Sequence, residues 1–129
     1  MNLVDSSAWL EYFADGPNAE FFAAAVENEE ELLVPAIVIY EVTKRLLQLT
    51  DERTMLRALA QLHRGHIVTI DEGLALQAAQ LSCEVRLPMA DSLILASARH
   101  HGATIWTQDV DFAHLEGVVY RAREKPSPG

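Results

Sequence analysis

The chain has one cysteine, Cys83, and a lone thiol cannot form an intramolecular disulfide. No apolar run approaches the length of a membrane span, because charged residues interrupt every stretch at helix or strand size. No secretory leader opens the sequence, and with the missing disulfide this sets the expectation of a cytoplasmic protein. Glycine-rich phosphate loops, a Walker pattern and a Gly-x-Ser-x-Gly elbow are all absent. Positive charge is scarce too: 10 Lys and Arg stand against 19 Asp and Glu, a formal net charge of -9. A protein that grips a polyanion by bulk electrostatics is normally basic, so this balance points to weak or partner-dependent nucleic-acid affinity. Two features temper it. The cations are unevenly placed, with Lys44, Arg45, Arg53, Arg57 and Arg64 in one stretch and Arg121, Arg123 and Lys125 near the end. Acids that bind metal also count as minus charges on paper, although a bound ion cancels them.

What is present is a chain of 129 residues, half of them hydrophobic, enough for one domain with one core. Short apolar runs alternate with helical patterns. Asn2 to Val4 reads as a strand ending at Asp5, and Ser6 or Ser7 can cap a helix through Phe13. Gly16-Pro17 breaks it, and Phe21 to Val26 forms a second helix that closes in the acidic run Glu27 to Glu31. Leu32 to Val34 is a buried strand, with Pro35 in the first turn of a helix to Leu49. Thr50-Asp51 caps a helix to His63. His66 to Ile70 is a strand, and Asp71 caps a helix to about Val85. Pro88 precedes a helix from about Asp91 to His100, which Gly102 stops. Ala103 to Thr107 is a strand, Asp109 to Leu115 a short helix, and Val118 to Tyr120 a last strand. Residues 1–120 form the domain on this reading, and 121–129 a polar, flexible tail. Strands separated by helices imply parallel pairing, hence an open α/β sheet covered on both faces. Ligands bind such sheets beyond the carboxyl ends of the strands.

Acids sit at those places. Asp5 and Asp109 follow two strands, where each taken singly reads as a turn or capping residue. Asp91 lies over the apolar face set by Ile94, Leu95 and Ala98; an N-cap explains it, a ligand explains it equally, and one carboxylate can do both. A helical wheel from Ile37 puts Glu41 in the polar sector with Lys44, Arg45 and Gln48, where a solvated i,i+4 pair with Arg45 accounts for it. The five histidines show no His-x-x-x-His spacing, and Cys83 falls inside a helix. Oxygen donors without nearby nitrogen or sulfur suit Mg²⁺ better than zinc.

Four blocks, "LVDSSAW", "VPAIVIYEV", "ADSLILASA" and "TQDVDF", stand in order along the chain. Together they resemble the PIN-domain family, VapC branch, from Leu3 to about Tyr120. The resemblance implies an α/β/α sandwich with a central parallel sheet and an acidic pocket that binds Mg²⁺ or Mn²⁺. It implies catalytic Asp5, Glu41, Asp91 and Asp109, with Asp5, Asp91 and Asp109 as metal ligands. Ser6 and Thr107 match the family's supporting hydroxyls, and Asp111 competes with Asp109 for the last position. The implied activity is endonucleolytic cleavage of RNA by a metal-activated water, with Glu41 holding a second ion or orienting the water. The implied setting is the toxin half of a type II toxin–antitoxin pair, a homodimer bound by a small antitoxin. Trp9, Tyr12, Phe13, Phe21 and Phe22 are candidates for that contact, although core explains most of them. Two rival readings remain: an acidic α/β interaction module without catalysis, and a metal-dependent nuclease acting on DNA.

Overall fold

A computed structural model describes residues 1–125. It contains strands β1 (Asn2–Val4), β2 (Leu32–Pro35), β3 (His66–Val68), β4 (Thr104–Thr107) and β5 (Val118–Tyr120). Between them run helices α1 (Ser6–Phe13), α2 (Ala19–Val26), α3 (Ala36–Leu49), α4 (Glu52–Leu62), α5 (Glu72–Val85) and α6 (Met89–His101). The strands form one parallel sheet in the order β3-β2-β1-β4-β5. From β1 the chain steps outward to β2 and β3, then returns to the other side of β1 as β4. Right-handed crossovers therefore put α1 to α4 and the pair α5–α6 on opposite faces, which makes the three-layer sandwich. The reversal lies between β1 and β4, the place where open α/β sheets leave a crevice for ligands.

The central strands are covered on both faces, and Leu3, Val4, Val34 and Ile105 are all essentially inaccessible. This explains why they read as apolar runs without alternation. Trp9 and Phe22 are fully buried, so these two aromatics of the first helices belong to the core and offer no surface to a partner. Tyr12, Phe13 and Phe21 pack half-buried against it.

Several boundaries differ from the sequence reading for local reasons. The cap of α1 is Asp5, not Ser6 or Ser7: its backbone is extended and its carboxylate accepts the Ala8 N–H. Pro35 closes β2 and serves as the N-cap position of α3. Helix α6 starts at Met89 after Pro88, so Asp91 sits inside its first turn and is not its cap. Gly102, at φ 63°, ends α6 in the left-handed conformation that glycine adopts freely. The expected helix after Asp109 is one 3-10 turn, Val110–Phe112.

The tail expected from Arg121 falls partly on residues 126–129, outside the described residues. Before them, the Arg121 N–H donates to the Thr107 carbonyl at 3.0 Å, and the Ala122 carbonyl accepts from Asn18 Nδ2 at 2.9 Å. Among the described residues no helix is long and apolar enough to cross a membrane.

Candidate active site

The acids gather at the carboxyl ends of β1 and β4, beside the N-terminus of α6. Asp5 is the residue after β1 and is only 2 % exposed. Its Oδ1 accepts from Ser7 Oγ at 2.8 Å and from the Ala8 N–H at 3.1 Å; its Oδ2 accepts from Thr107 Oγ1 at 2.8 Å. Thr107, fully buried at the end of β4, also accepts the Asp109 N–H on the same hydroxyl oxygen at 2.8 Å. One side chain thus ties the first acid to the backbone of the last, across neighbouring strands. Asp109 in turn accepts the Asp111 N–H at 2.9 Å, and this turn brings Asp111 round toward Asp109.

Asp91, Asp109 and Asp111 each offer a carboxylate oxygen within 4.8 Å of the others. Asp91 and Asp109 are half-buried and Asp111 is exposed. Asp5 does not join this set at that distance, but its charge still acts on Asp91. Glu41 is also outside the set. Its Oε1 accepts from Ser6 Oγ at 2.5 Å, which holds it half-buried beside the start of α1. Among the described residues it makes no salt bridge with Arg45, whose guanidinium reaches Gln48 instead. The solvated i,i+4 pair expected from the wheel is therefore replaced by a long-range hydrogen bond. A wheel sees one helix and cannot register a hydroxyl supplied by another.

Crowding shows in the acidities. Asp5 is pushed up to about 6, chiefly by removal from water, against the opposing hydrogen bonds from Ser7, Thr107 and Ala8. Asp91 is pushed up to about 8, first by its burial and then by the charges of Asp109, Asp111 and Asp5. No basic residue relieves this: among the described residues the two salt bridges are Met1–Glu31 and Arg64–Glu29, neither in this group. A set of oxygen donors with unbalanced negative charge fits a hard divalent cation such as Mg²⁺ or Mn²⁺, and no sulfur or imidazole in it favours zinc.

The groups that surround these acids carry no motif of their own. Ser7 donates to Asp5 and accepts the Gln108 N–H at 3.2 Å. Buried Asn18 donates to Gln108 Oε1 at 2.8 Å, linking the turn after α1 to the segment after β4. A serine beside a motif acid is a weak signal, and Asn18 beyond Gly16-Pro17 gives none until the fold places it next to Gln108.

A family profile for the PIN domain matches residues 3–118. No curated protein sequence matches the chain significantly. Among solved structures, a toxin–antitoxin complex from Klebsiella pneumoniae aligns with TM-score 0.79 and 24% identity, covering 92% of this chain and 96% of that one. A VapC toxin of Mycobacterium tuberculosis, described as cleaving the sarcin–ricin loop, aligns with TM-score 0.76 and 19% identity over 90% and 95% of the two chains. A VapBC complex from Rickettsia felis bound to promoter DNA aligns with TM-score 0.72 and 15% identity over 94% and 97%. At these identities the likeness speaks for the fold.

Proposed function

The chain belongs to the PIN-domain family, and from that premise we propose that it is a Mg²⁺- or Mn²⁺-dependent endoribonuclease, the toxin of a type II toxin–antitoxin pair acting in the cytoplasm. One observation carries the reading: Asp91, Asp109 and Asp111 converge at the sheet's switch point with no counter-charge. A surface acid cluster without purpose would be free to spread. Here Thr107 and the Asp109 turn fix Asp109 and Asp111, and the same Thr107 holds buried Asp5.

In this reading Asp91, Asp109 and Asp111 hold the cation, with Asp5 as ligand or as the charge behind them. The cation would offset the phosphate's charge and make a water more acidic at neutral pH. Glu41, fixed through Oε1 by Ser6, keeps Oε2 to accept a proton from the attacking water. The new water oxygen–phosphorus bond forms as the bond from phosphorus to the 3′ oxygen breaks; the departing oxygen takes a proton from solvent, leaving a 5′-phosphate and a 3′-hydroxyl. Ser6 and Thr107 act as positioning residues for Glu41 and Asp5. An Asp5 carboxylate with two donors on one oxygen and one on the other cannot rotate, so its orientation is preset.

The partner expected here is a small antitoxin that offers an arginine to the acidic pocket, because a planar guanidinium matches paired carboxylates. A homodimer is part of the same proposal. Purified protein is to be incubated with RNA and with same-sequence single-stranded DNA, in Mg²⁺ and in EDTA. RNA fragments with 5′-phosphates that appear only with metal support the reading. Cleavage in EDTA removes it, and preference for DNA moves it to the rival nuclease. Expression alone should arrest growth, and co-expression with a cognate antitoxin should restore it.

A further inference from the structure

One cation from each of the two basic stretches lines a single groove. About 340 Å³ in volume, it lies between α1, the end of α3 and the segment after β5, and both Arg45 and Arg123 line it. Ser7 and Gln108 line it as well. The first is one hydrogen bond from Asp5, and the second is the residue before Asp109. Two of the lining residues thus adjoin the acidic cluster, although none of its carboxylates lines the groove.

We propose that this groove receives the RNA strand next to the scissile phosphate, with Arg45 and Arg123 gripping its backbone phosphates; the inference rests on the nuclease reading above. Both cations are available for it. Among the described residues neither forms a salt bridge, and the Arg45 guanidinium makes one long contact, 3.4 Å, to Gln48 on its own helix. Glu11 borders the groove too; its Oε2 accepts the Asn18 N–H at 2.8 Å, which orients the carboxylate and leaves its charge in place. Arg123 is brought there by a clamp on the preceding residues. The Arg121 N–H extends the β4 pairing, its guanidinium lies 4.6 Å from the centre of the Phe21 ring, and Asn18 holds the Ala122 carbonyl. Leu10 and Phe13 supply apolar surface in the groove on which a base face can rest. A strand approaching a chain of net charge -9 is repelled over most of its surface, so two unpaired guanidiniums at the edge of the site decide where it can be held.

The test uses a short single-stranded RNA. Its binding is followed by fluorescence anisotropy over a range of salt in the cleavage-deficient Asp91→Asn protein with Mg²⁺, and steady-state kinetics are measured in the active protein. Arg45→Gln and Arg123→Gln should each weaken binding about tenfold and lower the slope of log K against log salt by about 0.7, the value for one single-strand phosphate contact. In the active protein they should raise KM and leave kcat within a few-fold, whereas a group acting on the reacting phosphate would lower kcat. Arg99→Gln, on the last turn of α6, should change neither. Unchanged affinity and slope in both groove variants, in a protein that still cleaves RNA, overturns the groove and spares the nuclease reading. Groove variants that cleave normally but no longer bind a co-expressed cognate antitoxin assign the groove to that partner and overturn the proposal. If the unmodified protein neither binds nor cleaves RNA in Mg²⁺, both readings fall together.

Discussion

Replacing Asp91 by Asn in the metal-free protein takes one negative charge out of a group that holds four. Asp91 makes no capping bond that the amide would lose, since α6 is entered through Pro88 without a side-chain cap. Its acidity lies at about 8 in the fold against 3.8 for the free side chain. An acid with a raised folded value binds more protons folded than unfolded between these limits. Its ionisation therefore costs nothing below about pH 4, and the cost grows as pH rises to about 8. Each unit is worth about 1.4 kcal/mol, and solvent at the half-buried carboxylate screens part of the total, leaving on the order of 2–3 kcal/mol. Against this stands the lost attraction between a carboxylate and the α6 N-terminus, about 0.3–1 kcal/mol. Repulsion wins. The variant should be more stable in EDTA at pH 8.5 by about 1–2 kcal/mol, roughly 4–8 °C in Tm at this size. At pH 4 the two proteins should unfold at similar temperatures. Adding Mg²⁺ should stabilise the wild type more than the variant. The measurement is thermal unfolding by circular dichroism over pH, with and without metal. A variant that is less stable in EDTA at pH 8.5, or whose Tm follows the same pH curve as wild type, would refute the crowding argument.

Thr107→Val removes the donor to Asp5 and the acceptor of the Asp109 N–H in one isosteric change, and should destabilise by about 1–3 kcal/mol. Because Thr107 helps to hold Asp5 down toward 6, the loss should be greater at pH 8 than at pH 4 in denaturant titrations; a pH-independent loss speaks against it. Glu41→Gln keeps the acceptor for Ser6 Oγ but removes the base that the proposed mechanism calls for, so it should fold normally and lower kcat by about 10²-fold or more. A rate within a few-fold of wild type would make Glu41 a structural partner of Ser6. Arg86 ends α5 at φ 58°, in the left-handed region. Arg86→Gly should therefore raise stability by about 0.5–1 kcal/mol, read from the denaturation midpoint, with cleavage unchanged.

The order of strands and main helices, the parallel sheet and the four acid-bearing blocks were legible in the sequence. These are properties of neighbouring residues: apolar runs at Leu32 to Val34 and Ile105-Trp106, a helical period in α3 and α6, breaks at Gly16-Pro17, Pro88 and Gly102. Roles that depend on a second element stayed illegible. Asp5 looked like a strand-end turn until the sheet paired β1 with β4 and put Thr107 against it. The cap reading of Asp91 fails because α6 begins two residues earlier, and Glu41 reads as solvated only while Ser6 of α1 is left out. Asp111 could not be ranked against Asp109 from "TQDVDF" alone. The 3-10 turn brings an oxygen of each within reach of Asp91. Only the tertiary structure could decide these points. A carboxylate's acidity and partners depend on which groups lie within a few ångströms, and here those groups come from strands and helices up to about a hundred residues away.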